Sequence, residues 1–125
     1  MEQITWVFGI SFGALAICFG AFGAHLLKKY MTAEVLVSFE TGVRYQMYHA
    51  LLLVFMSQIL NFDTNFSYFA ALFIIIGVFL FSFSIYGLCL STTFGKKIKL
   101  LGPITPLGGL CLLIGWLLLL GANFN

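Results

Sequence analysis

The residues of this 125-residue chain that could do chemistry are few, and they are gathered. Residues 39–50 hold Glu40, Arg44, Tyr45, Gln46, Tyr48 and His49, and the other histidine, His25, stands upstream at the end of an apolar run. On a helix, Glu40 and Arg44 are spaced i,i+4 with the acid on the N-terminal side, the better orientation for an ion pair. Tyr45 and His49 repeat that spacing, and Gln46 and His49 are i,i+3, so one helix can carry a hydrogen-bonded polar network. Counting from the ends of the apolar runs brings Ser82, Ser84, Tyr86 and Thr105 to a similar depth and places His25 at the inner boundary of the first run, facing this helix. An imidazole, a guanidinium and a carboxylate so placed suit proton relay or the binding of a small anion. The opposing reading is structural: Arg44 reaches outward along its stem and His49 only bridges helices.

Other chemistries find no support. There is no acid pair, no nucleophile with a base at helical reach, and no run of ligands with metal spacing. No catalytic residue and no metal site are therefore expected, and the chain is not expected to be an enzyme. Cys18, Cys89 and Cys111 stand singly in apolar runs, where thiols act as small hydrophobes. His25 and His49 could in principle ligate a haem as an axial pair. Their expected depths differ by roughly 10 Å at about 1.5 Å per residue, so no cofactor is expected.

The elements that must position these groups follow from composition. Hydrophobic residues make up 62% of the chain and charged residues 8%, against about 25% charged in a globular domain. Four apolar runs, each close to the roughly 20 residues needed to cross a bilayer, cover residues 4–27, 42–60, 68–90 and 106–122. The expected fold is all-α: a polytopic membrane four-helix bundle forming one domain over residues 1–125. The first run is read as a retained span, since Glu2 replaces a basic leader and the run exceeds the roughly 7–15 apolar residues of a signal peptide.

Orientation comes from the cations. All six basic residues, Lys28, Lys29, Arg44, Lys96, Lys97 and Lys99, lie between the first and second runs, between the third and fourth, or at the start of the second. Lys and Arg are retained on the cytoplasmic side during insertion, which predicts both termini on the outer side. The net charge of +2 is then local anchoring. No basic stripe with interleaved aromatics suggests nucleic acid, and the expected partners are the lipid bilayer and either further copies of the chain or a larger membrane complex.

Thr32 is predicted to cap a helix with Glu34 in its first turn. That helix continues to about residue 60, roughly 40 Å against a bilayer core of about 30 Å, so residues 33–41 should lie in the cytoplasmic interface. Thr105 is predicted to cap the last helix with Pro106 at its first position, after a non-helical approach through Gly102 and Pro103. Free N–H groups there, with Lys96, Lys97 and Lys99 nearby, could contact an anion or a lipid head group, although a rigid turn explains the stretch equally well. Small residues at helical spacing, Gly9, Gly13, Gly20 and Gly23, then Gly77, then Gly108 and Gly115, are expected to let helices approach closely where lipid offers no hydrophobic drive.

Three stretches carry a resemblance. Gly20-Ala21-Phe22-Gly23-Ala24-His25, then Arg44-Tyr45-Gln46-Met47-Tyr48-His49-Ala50, then Gly102-Pro103-Ile104-Thr105-Pro106-Leu107-Gly108-Gly109 resemble the domain-of-unknown-function 423 family of small bacterial inner-membrane proteins. The chain departs from the family pattern at Leu26 and in a longer third loop, residues 92–99. The resemblance implies four membrane spans in a bacterial inner membrane and no defined activity. The expected role is a non-enzymatic packing or accessory subunit; the alternative is a small transporter or channel subunit for protons or a small anion.

Overall fold

In a computed structural model, which describes residues 1–124 with the side chain of Ala24 excepted, the chain is all-helical. Helix α1 spans Glu2–His25 and ends in a tight 3-10 turn, Leu27–Lys29. Helix α2 spans Ala33–Ile59, opened as expected by Thr32, whose side chain accepts from Val35 N at 3.3 Å. Helix α3, Asn65–Val78, runs through a π-helical turn at Phe79–Phe83 into α4, Ser84–Phe94, so the three form one long helix. Helix α5 spans Leu101–Leu118 and closes in a 3-10 turn, Leu119–Gly121.

Three of these are long and apolar enough to cross a membrane: Glu2–Lys29, Asn65–Phe94 and Leu101–Gly121. At 27 residues, or roughly 40 Å, α2 has the length. Glu34, Glu40, Arg44, Gln46 and His49 dilute its apolar character, which keeps it out of that class. Of these, Gln46 and His49 are buried inside the bundle, whereas Glu34, Glu40 and Arg44 are exposed.

Contacts between helices define the threading. Positions Gly9, Gly20 and Gly23 on α1 meet Val54, Val43 and Phe39 on α2, an antiparallel register. Gly115, Gly108 and Gly87 meet Ile74, Phe81 and Leu101, so the long third helix and α5 are antiparallel too. Phe12 packs on Phe79, and Phe19 on Phe83 and Tyr86, which makes α1 parallel to the third helix. The lysine turns after α1 and before α5 therefore share one end of the bundle. At the other end, Asn61 N donates to Asn123 O at 2.9 Å, joining the α2–α3 turn to the last described residues. Asn125, on which the expected outward C-terminus falls, lies outside them.

The glycine positions explain how closely the helices approach. A Cβ on Gly9 would lie 2.9 Å from Val54 N, one on Gly77 2.9 Å from Leu112 N, and one on Gly108 would collide with the backbone of Phe81. Gly115 faces Ile74 in the same way, whereas Gly13 meets only the Cβ of Ala50 at 3.8 Å. Two apolar clusters result. One, around Phe12, Leu53, Ile74, Val78 and Leu112, fills the middle and the Asp63 end; the other, around Phe39, Ile85, Tyr86 and Cys89, fills the lysine end. The phenylalanines of the π-helical turn interlock with those of α1: Phe79 lies edge-on to Phe8 and Phe12 at 5.9 and 5.1 Å.

The start of α5 corrects one expectation. Residues 101–106 are helical, with Leu100 as the N-cap. Thr105 is not a cap: its hydroxyl donates back to Leu101 O at 3.3 Å, and Pro106 sits inside the helix. The helix begins early because Pro103 occupies the first turn, where its missing N–H has no partner to lose. Pro106 deprives only the carbonyl of Gly102, an exposed residue.

Candidate functional site

Four buried polar side chains, Gln46, His49, Ser82 and Ser84, gather between the two apolar clusters, while Thr5, Ser57 and Ser67 are buried near the Asp63 end. Gln46, with no exposed surface, donates through Nε2 to Phe12 O of α1 at 2.8 Å and accepts at Oε1 from Tyr86 of α4 at 2.7 Å. Ser82 donates to Gly42 O of α2 at 2.8 Å. That carbonyl is within reach because Gly42 has no side chain; a Cβ there would stand 2.8 Å from the ring of Tyr86. The π-helical turn immediately before Ser84 adds one residue to the helical repeat, and Ser82 and Ser84 point to different neighbours. Ser84 meets the hydroxyl of Thr105 at 2.6 Å.

His49 is 5% exposed and has both ring nitrogens engaged. Nδ1 lies 2.7 Å from Tyr45 O, one turn back on α2, and Nε2 lies 3.1 Å from Nε1 of Trp116 on α5. An indole N–H can only donate. Nε2 is therefore the acceptor and Nδ1 carries the proton, in a neutral ring. Every buried side-chain nitrogen and oxygen among the described residues has a partner, as a medium without water demands.

The sequence-derived cluster divides accordingly. Gln46, His49, Ser84 and Thr105 are brought into interhelical bonds, with Ser82 and Tyr86 beside them. Tyr45 stays half outside, its ring 4.9 Å from Phe81 and its carbonyl serving His49. Tyr48 is 57% exposed. His25 does not join. It lies exposed on the outer face of α1, in an apolar hollow with Ile17, Cys18 and Phe22. Adjacent positions on a helix differ by about 100° in direction, so arriving at the right depth does not give a residue the right face. Glu40 and Arg44 are also exposed and border a notch of about 200 Å³ beside Gly20 and Gly23, apart from the buried layer.

The expected anion-contacting end is also altered. The N–H groups of Leu101 and Gly102 donate to Ile98 O and Lys99 O at 3.1 Å each, and Pro103 has none. Lys96, Lys97 and Lys99 are exposed, and Lys97 borders a recess. Trp116 is the partner that sequence reasoning missed. Its signal was present: a donor-only N–H inside an apolar helix needs an acceptor.

The profile of the family described as Protein of unknown function (DUF423) matches residues 19–109. The chain belongs to the DUF423 family. It is 38% identical over 111 residues to a UPF0382 membrane protein of Staphylococcus aureus (strain bovine RF122 / ET3-1), covering 89% of this chain and 87% of that one. It is 34% identical over 120 residues to the UPF0382 inner membrane protein YgdD of Escherichia coli (strain K12), covering 95% and 88%. No solved structure matches. The DUF423 match contains Gln46, His49, Ser82, Tyr86 and Thr105, whereas Phe12 and Trp116, which close two of the bonds, lie outside it.

Proposed function

We propose that this DUF423 member is a four-span bundle with both termini outside, acting without catalysis as a packing or accessory subunit. It would associate with its own copies or with a larger complex of the bacterial inner membrane. The observation that carries this reading is the complete internal pairing of the buried polar layer. A relay or an anion site needs a group with capacity to spare, and Gln46, His49 and Ser82 are committed to holding helices together. Supporting the fourth span, α2 packs against α1 and α4 through Phe39, Gly42 and Ala50, and its buried side-chain polar atoms are satisfied within the bundle. Supporting the orientation, Lys28, Lys29, Lys96, Lys97 and Lys99 all stand at one end, the end retained in the cytoplasm. The same pairing weighs against a subunit carrying protons or a small anion, as does the separation of His25 from His49.

The test is purification in mild detergent followed by native mass measurement. A homo-oligomer or a stoichiometric companion is expected. A strict monomer with no companion, or proteoliposomes whose proton or anion flux is abolished by His49→Ala, defeats the reading.

A further inference from the structure

We infer that a recess at the lysine end of the bundle binds the head group of an aminophospholipid, with Glu34 taking the ammonium and Lys97 the phosphate. The recess holds about 540 Å³ between α2, α4 and the start of α5, inside the range of roughly 300–1,000 Å³ typical of small-ligand sites. Its walls are of two kinds. Val35, Ile85, Leu88 and Pro106 make an apolar side, fit for the first methylenes of an acyl chain. Glu34, Ser38, Thr41 and Thr105 make a polar side.

The hydrogen bonds within that polar side decide which ligand suits it. Ser38 donates its proton to Glu34 O at 3.3 Å, Thr41 to Val37 O at 3.0 Å, and Thr105 to Leu101 O at 3.3 Å. While the Thr105 oxygen is engaged by Ser84 at 2.6 Å, the hydrogens of Ser38 and Thr41 are spent on helix carbonyls, which leaves their oxygen lone pairs for a ligand. Together with the Glu34 carboxylate they form an acceptor-rich wall, suited to a primary ammonium with three N–H donors and unsuited to a bare anion. Among the described residues, Lys97 is the one cation bordering the recess. It is brought there by the loop between α4 and α5, which folds back so that Ile98 N donates to the Ser91 hydroxyl at 3.2 Å. One acid and one base across a half-apolar recess match a zwitterion that carries both charges on a lipid. The site goes beyond the accessory role, and its failure would leave the oligomer measurement untouched.

Native mass spectrometry of the purified full chain, released from mixed micelles with equal phosphatidylethanolamine, phosphatidylcholine and phosphatidylglycerol, tests it. One phosphatidylethanolamine per chain is expected, retained at least about fivefold over phosphatidylcholine, whose trimethylated nitrogen donates nothing; that is the worth of one net hydrogen bond. Glu34→Gln should erase that preference while leaving the other two lipids unchanged. Lys97→Gln should weaken all three together, since each carries the phosphate. Soluble phosphoethanolamine should bind about tenfold more weakly than the lipid, the worth of two buried methylenes. Both substituted side chains are exposed at the rim, and Lys28→Gln, in the other lysine turn, serves as the control without effect. Equal retention of the three lipids, an unchanged preference in Glu34→Gln, or a loss equally produced by Lys28→Gln overturns the site. Equal binding of soluble phosphoethanolamine overturns its assignment to a lipid.

Discussion

Trp116 on α5 donates its indole N–H to Nε2 of His49 on α2 across 3.1 Å, tying two helices whose residues are 67 positions apart in the chain. The bond fixes the imidazole tautomer, because the same ring must donate from Nδ1 to Tyr45 O. A histidine so held is a crosslink.

Trp116→Phe keeps the aromatic bulk and removes the donor. It is expected to lower stability by about 1 kcal/mol, the usual scale for an interhelical hydrogen bond in a membrane protein. Nitrogen chemical shifts should report protonated Nδ1 and bare Nε2 in the unaltered chain. Finding the proton on Nε2 would rule out the bond.

Gln46 and Tyr86 offer a sharper comparison. Tyr86→Phe deletes one bond and leaves Gln46 attached to Phe12 O. Gln46→Leu removes both bonds and strands the tyrosine hydroxyl, at about 1–3 kcal/mol for the unmet group, although the Phe12 carbonyl keeps its partner within α1. Reversible unfolding in detergent should therefore rank Gln46→Leu as clearly more damaging than Tyr86→Phe. In the double variant, the damage should fall short of the sum.

Two glycines six residues apart at the start of α5, Gly102 and Gly108, should respond oppositely. A methyl at Gly108 strikes the Phe81 backbone, which cannot rotate away, whereas one at Gly102 meets nothing within 4 Å. Gly108→Ala is expected to cost about 1–3 kcal/mol by overpacking. Gly102→Ala should change stability by less than about 0.5 kcal/mol or raise it slightly. Equal melting shifts for the two would contradict the packing described.

Topology makes a separate prediction. Alkaline phosphatase fused after residue 124 should be active, and green fluorescent protein inserted beside Lys96 should fluoresce. The opposite pair of results would reverse the proposed threading while leaving the helix contacts intact.

What the chain's composition and order determine on their own is considerable. The scarcity of charge, the lengths of the apolar runs and the Thr32 cap specify the helices and the start of α2, because propensity, capping and hydropathy act locally, while the cap of α5 is Leu100, five residues before the expected Thr105. The burial of His49 also demanded a partner before any partner was known. Which partner it takes was decided by tertiary placement, since the glycine contacts at Gly108 and Gly115 seat α5 against the long third helix and leave the Trp116 side chain to reach across to the ring. The same holds for His25, which stands at the expected end of its helix but faces outward, and for Thr105, turned from a cap into the mate of Ser84. Depth is a property of sequence position. Facing depends on the rotation of each helix about its axis, which is set by how the side chains of all four helices fill space together.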